Sequence, residues 1–342
     1  MRILVGMSGG LDSTYAALKL IDEGHEVEGA VVVMHGHTEL SAAREAAASL
    51  GIALHELDAT DKFAAVKENF TEEYSRGRTP NPCIVCNPWV KFRVLADFAK
   101  NMGFDRIATG HYAKVVSVKD GDAVRYTLAR ARDLRKDQTY MLHRLPEDVL
   151  SILVLPLGDE VKTEVREKAL ARGLKAAQQK ESQEICFIPD GDYAAYIEGI
   201  KGPFPEGDFV LEDGRCIGRH KGLIRYTVGQ RKGLGIAYGE RIFVSRIDAE
   251  KNEIVLSPEG SYTDRVTVSD IVFSGLNEQE TGSKIKADVK FRYLAAPVSV
   301  TVIFLGEGRV ELVPDLPQRA VTPGQSAVVY DGDTVLFGGF ID

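Results

Sequence analysis

Cys83 and Cys86 stand three residues apart among Pro80, Pro82 and Pro88 in the stretch TPNPCIVCNPWVKF. A CxxC pair can be half of a metal site, a redox dithiol or a nucleophile on a catalytic loop, and the spacing alone leaves all three open. The chain has only two further cysteines, Cys186 and Cys216. One CxxC and two scattered thiols do not give the paired spacing of a structural zinc finger. Four cysteines in 342 residues point to a reducing, cytoplasmic setting in which thiols are kept for reactivity or packing. The prolines restrict the chain around Cys83, and a helix beginning near Trp89 would hold Cys86 close to a positive helix end, which favours thiolate.

A second chemical stretch lies near the start of the chain. GMSGGLDS comprises Gly6, Met7, Ser8, Gly9, Gly10, Leu11, Asp12 and Ser13. It follows a short apolar strand and opens the first helix, where a sheet presents backbone N–H groups to a phosphate. Glycines let the backbone turn tightly and approach an anion, and the hydroxyls of Ser8 and Ser13 add donors. The stretch is neither GxGxxG nor GxxxxGK[ST], and no lysine lies within it to meet a terminal phosphate.

The elements that position these residues are legible as periodicity. Ile3 to Gly6, Val27 to Val33, Ala53 to Leu57 and Arg106 to Thr109 read as short buried strands. Helical patterns fall at Ser13 to Glu23, Ser41 to Leu50, Lys62 to Tyr74, Val90 to Met102, Glu147 to Leu153 and Lys162 to Arg172. This alternation is an α/β fold with a parallel sheet and crossover helices. After Gly202 the pattern becomes short alternating strands punctuated by glycine, such as RIFVSRID and SAVVYDGDTVLFGG, which point to an all-β C-terminal third. Boundaries fall near Ile200 and Tyr262. No apolar run approaches the ~20 residues that span a bilayer, and MRILVGMSGG does not resemble a secretory leader.

The net charge of −8 argues naively against a polyanionic partner, but the charges are unevenly placed. From Gly214 to Arg246 the bases Arg215, Arg219, Lys221, Arg225, Arg231, Lys232, Arg241 and Arg246 face one acid, Glu240. Arg125 to Lys136 adds another basic run. Counterion release depends on the contacting face, so a basic surface on an acidic protein is compatible with phosphate contacts, as it is with an ordinary solvated face.

SGGLDS resembles the pyrophosphate loop of the ATP pyrophosphatases, which split ATP between its α- and β-phosphates. That resemblance implies ATP on Gly6 to Ser13 and a Mg²⁺ and pyrophosphate role for Asp12. TPNPCIVCNPWVKF, TGHYAK, KDQTYMLHRL, LPLG, ESQEICFIPDGDY, GRHKGLIRYTVGQRKGLGI, VKFRY and AVTPGQSAVVYDGD are similar, in order and over nearly the whole chain, to the motifs of the tRNA-specific 2-thiouridylases. These replace the C2 oxygen of the wobble uridine with sulfur. The resemblance implies an adenylating domain over residues 1–200, a small central domain over 201–262 and a C-terminal β-barrel over 263–342, the last two holding tRNA.

It also implies roles residue by residue. Cys86 takes the nucleophile position and Cys186 the persulfide position, with a transient disulfide between them that needs reduction. Gly110 and, more loosely, Val32 fall at ATP positions. Asn81, Pro82 and Cys83 would face the target base, while Lys136, Asp137, Gln138, Arg292, Tyr293 and Gln325 would contact tRNA. His111 would help read the anticodon region, against the plainer reading of a packed histidine, and Tyr293 competes likewise with a core aromatic. A sulfur-donor protein, a persulfide relay or a cysteine desulfurase, is the implied partner. Cys216 matches no catalytic position and reads as a packed thiol.

Two departures stand out. NPCIVC replaces the family's frequent NPDxxC, removing an aspartate tied to proton transfer, and the segment VVVMHGHTELSAAREAAA lacks an acidic insert. Three thiols also leave open a [4Fe–4S] cluster on Cys83, Cys86 and Cys186 with one iron carrying sulfide. An ATP pyrophosphatase acting on a small molecule is a further alternative, disfavoured by the basic β-rich C-terminal third.

Overall fold

The computed structural model describes residues 1–36, 38, 40–120, 123–178 and 185–342. The Glu181 to Glu184 part of the ESQEICFIPDGDY motif, and His37 and Glu39 of the segment after the second strand, lie outside the described residues.

The first half is β1 (Arg2–Gly6), α1 (Leu11–Asp22), β2 (Glu26–Val33), α2 (Leu40–Leu50), β3 (Leu54–Asp58), α3 (Thr60–Ser75), α4 (Pro82–Cys86), α5 (Phe92–Met102) and β4 (Arg106–Thr109). An antiparallel hairpin follows, β5 (Lys114–Asp120) and β6 (Ala123–Ala129). Then come α6 (Thr139–Leu142), α7 (Glu147–Leu150), β7 (Leu153–Val154), α8 (Lys162–Ala171) and α9 (Tyr193–Lys201). The main sheet runs β3-β2-β1-β4-β7 with every pairing parallel. Ile3, Leu4 and Val5 are fully buried because helices cover both faces, which is why such strands read as continuous apolar runs. The order reverses between β1 and β4, and in sheets of this kind the crevice beyond the strand C-termini at that point is the ligand site. The Gly6 to Ser13 loop follows β1 and Gly110 follows β4.

The rest of the chain is all β. The strands β8 (Gly207–Leu211), β9 (Cys216–His220), β10 (Phe243–Asp248) and β11 (Glu253–Ser257) form a small sheet in the order β10-β11-β8-β9 around Phe209, Val244, Ile254 and Leu256. A short pair, β12 (Tyr262–Thr263) with β17 (Gln318–Arg319), lies beside the final barrel. That barrel comprises β13 (Val266–Phe273), β14 (Lys284–Lys290), β15 (Val298–Gly306), β16 (Arg309–Pro314), β18 (Ser326–Asp331) and β19 (Thr334–Ile341). It runs β13-β16-β15-β14-β18-β19 and closes through β13 with β19, so these six strands leave no open edge. Its interior is filled by Val289, Val300, Val302, Phe304, Leu312 and Phe337. The β5–β6 hairpin joins the barrel through Ala129 and Thr334.

The basic run Arg125 to Lys136 is accordingly structural in large part. Arg125 pairs with Glu147, Arg130 lies over the Tyr330 ring at 4.3 Å and Arg135 pairs with Asp133.

Candidate active site

The phosphate-type loop is built by close packing. Gly9 adopts φ +79° and lies against the Ala42 backbone, leaving no room for a side chain. Gly110 is equally constrained: a Cβ there would stand 2.5 Å from the Asp12 carbonyl carbon and 2.6 Å from the Ser13 nitrogen. The turn after β4 is thereby seated on the start of α1. Ser8 N–H donates to Ser13 Oγ at 3.2 Å, the two hydroxyls are 3.2 Å apart, and Ser13 Oγ donates to Gly10 O at 3.1 Å. Met7 and Leu11 are core residues, as is Val32 at the end of β2.

The lysine absent from the loop arrives from far along the chain. Lys162, at the start of α8, places Nζ 2.6 and 2.7 Å from the two carboxylate oxygens of Asp12, and Tyr112 donates its hydroxyl to Asp12 Oδ1 at 3.0 Å. The Lys162 side chain is 8% exposed. Neither residue stands out as functional in the sequence, where Lys162 is only the first residue of the helical pattern Lys162 to Arg172.

The cysteine loop departs from expectation. Helix begins at Pro82, not near Trp89: Asn81 caps it by accepting from Cys83 N–H at 3.1 Å, and Pro82 sits in the first turn, where its missing N–H costs nothing. The helix continues through a π-turn, Asn87–Lys91, into α5; such turns re-aim side chains and are frequent at functional sites. Cys83 is therefore exposed in the first turn, whereas Cys86, one turn on, points inward and is only 6% exposed. Its Sγ lies 3.5 Å from the sulfur of Met34, just beyond β2. Burial pushes the Cys86 thiol up to about 12, against a smaller opposing pull from Lys91. The thiolate expected at a helix start is thus not favoured in the resting protein, because desolvation outweighs the nearby positive charge.

Cys186 is exposed at the surface, yet desolvation by the groups around it raises its thiol, and charge on Cys83 raises it further. Its neighbour Phe187 packs edge-on to Phe63 and Phe70 of α3. Lys91 is a cation whose field reaches Cys86, Cys186 and His111. All four cysteines are free, and Cys216 is exposed rather than packed, because β9 turns it outward. Among the described residues no group of three His, Cys, Asp or Glu is placed to hold a metal ion, so Cys83, Cys86 and Cys186 do not present a ready cluster-ligand set. Asp12 fits Mg²⁺ as one carboxylate ligand, the ion's other oxygens coming from phosphate and water, the usual manner for that ion.

These placements make alkylation informative. At neutral pH iodoacetamide is expected to modify Cys83 and Cys216 well before Cys86, whose thiolate fraction is on the order of 10⁻⁵ to 10⁻⁴, with Cys86 labelling accelerating as pH rises. Equal rates for Cys86 and Cys216 at pH 7.5, read by peptide mass spectrometry, would contradict the buried placement.

The remaining sequence-selected residues fall in three environments. Arg292 and Gln325 face one cavity of ≈ 420 Å³ lined also by Thr79, Thr227, Gln230 and Thr322. Segments of the first half, the small sheet and the barrel all meet there. Arg292 donates to Thr322 Oγ1 at 2.8 Å and to Ala320 O, and Gln325 Nε2 donates to Thr79 O at 2.6 Å. Thr79 N–H also donates to Pro323 O at 2.9 Å, so the barrel grips the segment that feeds Asn81 and the cysteines. Tyr293 is partly buried against Tyr140.

Lys136 is half-buried, while Asp137 is 3% exposed and turned inward, accepting from Ala131 N–H at 3.1 Å and Thr139 Oγ1 at 2.7 Å. Gln138 Oε1 accepts from Tyr112 N–H at 2.8 Å, linking this run to the Asp12 environment. His111 packs on Phe92 with Nδ1 2.8 Å from Thr109 Oγ1; burial and then Lys91 push it down to about 3, so the ring is neutral at physiological pH.

Of the basic residues between Gly214 and Arg246, Arg219, Arg225 and Arg246 are paired with Asp208, Glu198 and Asp248. Arg231 and Arg241 line a cavity of ≈ 500 Å³ formed by the glycine-rich stretch up to Ile242.

Residues 1–190 match the family model described as a tRNA methyl transferase HUP domain, 196–258 the tRNA methyl transferase PRC-barrel domain and 263–341 the aminomethyltransferase beta-barrel domain. The chain is 44% identical to the tRNA-specific 2-thiouridylase MnmA of Acetivibrio thermocellus, with 99% of each chain covered. It is 43% identical to that of Chloroflexus aurantiacus, covering 99% of this chain and 98% of the relative. Identity to that of Clostridium botulinum is 41%, covering 100% and 98%.

Proposed function

Because the chain belongs to the tRNA-specific 2-thiouridylase family, we propose that it replaces the C2 oxygen of the wobble uridine of tRNA with sulfur in an ATP-dependent reaction. The observation that carries the reading is a juxtaposition beyond the C-terminal ends of the parallel strands. The glycine loop with its Asp12–Lys162 pair follows β1, and Cys86 meets Met34 just past β2.

The chemistry needs both parts. A pyrimidine C2 carbonyl is a poor electrophile with a poor leaving group, so its oxygen attacks the α-phosphate of ATP, expelling pyrophosphate and becoming an AMP ester. The loop N–H groups, Ser8, Ser13 and Lys162 offer donors and charge for the phosphates. Asp12 is the residue that would hold Mg²⁺, which would supply charge neutralisation at the phosphates.

The terminal sulfur of a Cys186 persulfide then attacks C2 and AMP leaves. Cys86, as thiolate, attacks Cys186 Sγ, which breaks the S–S bond, frees 2-thiouridine and leaves a Cys86–Cys186 disulfide. Ionising Cys86 requires its surroundings to change on substrate binding, and Lys91 is the nearby charge that favours it. Residues 201–262 and 263–342 hold the tRNA, Arg292 and Gln325 from the junction cavity, with Asn81 to Cys83 at the target base. Asp137 acts by holding Lys136 and Gln138 in place, and His111 offers a neutral hydrogen-bonding ring.

Nucleoside analysis of tRNA incubated with the protein, ATP, Mg²⁺ and a persulfide donor tests the reading: 2-thiouridine is expected, and its absence alongside adenylation of a small molecule would replace it. Iron analysis of anaerobically prepared protein tests the cluster alternative. Stoichiometric iron and sulfide, lost in Cys83→Ala together with all activity, would overturn the persulfide route.

The exposed basic stretch carries its own test. Arg231→Glu with Lys232→Glu is expected to weaken tRNA binding and to lower the slope of log K against log salt by roughly 0.7 to 0.9 per lost contact. An unchanged slope makes the stretch an ordinary solvated face.

A further inference from the structure

We infer that Cys83 is a resolving thiol: after each sulfur transfer it takes over Cys86 from the Cys86–Cys186 disulfide, freeing Cys186 for recharging before any external reductant acts. The inference rests on the thiolation reading above and adds a step to it.

Three observations carry it. Cys83 and Cys86 are one turn apart at the start of a helix, the outer thiol exposed and the inner one buried. Residues at this spacing stand about 5–6 Å apart at Cβ, and a disulfide needs about 3.5–4.5 Å. The adjustment falls in the first helical turn, whose Cys83 and Ile84 N–H groups are held locally by the side chain and the carbonyl of Asn81. Finally, Cys86 and Phe187, the residue after Cys186, belong to one buried cluster with Ile84 and Val85, which brings the three thiols to the same part of the fold, and charge on Cys83 is felt at Cys86 and at Cys186.

The step balances without an oxidant. Cys83 thiolate attacks Cys86 Sγ, the Cys83–Cys86 bond forms as the Cys86–Cys186 bond breaks, and Cys186 leaves as thiolate and takes up the proton lost by Cys83. An external dithiol then reduces the Cys83–Cys86 disulfide by attack at the exposed Cys83 sulfur, becoming oxidised itself. An intramolecular thiol competes well with a dissolved one because its effective concentration is far higher. Cys186 meanwhile is a free thiol and accepts its next sulfur, so recharging does not wait for reduction.

The test uses the full chain, loaded with persulfide and given tRNA and ATP without reductant, then quenched with N-ethylmaleimide for disulfide mapping and nucleoside counting. Wild type is expected to form 2-thiouridine and to end with a Cys83–Cys86 bridge, whereas Cys83→Ser should stop at Cys86–Cys186. With dithiothreitol present, the ratio of steady-state rate to first-turnover rate should fall about tenfold or more in Cys83→Ser, and Cys216→Ser should keep the wild-type ratio. Cys186→Ser treated with oxidised glutathione should still form the Cys83–Cys86 bridge, and failure to do so would overturn the inference whatever the activity. A Cys86–Cys186 bridge in wild type beside newly formed 2-thiouridine, or a wild-type ratio in Cys83→Ser, sinks the resolving role alone. No 2-thiouridine from wild type sinks the thiolation reading.

Discussion

Asp12→Ala is expected to stop pyrophosphate release, lowering kcat by at least about 10²–10³, the scale of removing one preorganised electrostatic contact from a reacting phosphate or oxyanion. Asp12 is the hub of the loop's polar contacts: both carboxylate oxygens are taken by Lys162 Nζ, and Oδ1 also accepts from Tyr112. The lysine side chain is nearly sealed from solvent, whereas Asp12 is about one-third exposed (34%). Removing Asp12 therefore takes from a nearly buried ammonium the two carboxylate contacts it makes there, which also lowers stability. Asp12→Asn keeps the shape of the site and separates the two effects. It should lose most pyrophosphate release while melting closer to wild type than Asp12→Ala.

Lys162→Ala is the complement, since it leaves a carboxylate facing the incoming triphosphate, and it should raise KM for ATP as well as lower kcat. Because the two residues act as one unit, the double alanine variant should be little worse than the more damaged single. Pyrophosphate release at the wild-type rate in Asp12→Ala, measured with saturating tRNA and ATP, would remove this pair from the reaction.

The second large effect concerns sulfur. Cys86→Ser and Cys186→Ser are each expected to lose 2-thiouridine formation by more than about 10³, since a serine hydroxyl neither carries a persulfide nor cleaves one at neutral pH. Both should retain adenylation, because the ATP loop is built by Gly9, Ser8, Ser13 and Gly110, none of which depends on a thiol. Cys86→Ser replaces a buried thiol with a hydroxyl beside Met34, a partner that bonds a hydroxyl poorly, so it should cost about 1–3 kcal/mol. Cys186→Ser, at an exposed position, should cost little. Parallel assays of pyrophosphate, 2-thiouridine and melting temperature separate these outcomes. Wild-type thiolation in either variant would exclude the persulfide route.

The alternation of buried strands and helices in the first half was legible because a parallel sheet covered on both faces demands apolar runs, and GMSGGLDS was legible because glycines and hydroxyls at a strand end have few other uses. The all-β end was visible in its short alternating strands. The helix start at Pro82 was misplaced because proline reads first as a breaker, although at the first helical position its fixed φ is an asset; the cap that decides the matter is one hydrogen bond from Asn81.

Residue type and order thus determined by themselves which side chains are available for chemistry: a phosphate-type loop, three candidate thiols and a basic stretch. Only the tertiary structure decided how they are used. It brings Lys162 onto Asp12 across 150 positions of chain, turns Cys86 inward while leaving Cys83 outside, and holds Thr79 against the barrel's Pro323 and Gln325. Local propensity is set by a residue and its near neighbours, whereas ionic pairing, desolvation and the grip of one domain on another depend on which distant groups share a volume. Thiol acidity is the sharpest case: the same Cys86 is favoured as thiolate by Lys91, near it in sequence, and disfavoured by the burial that only the packed core imposes.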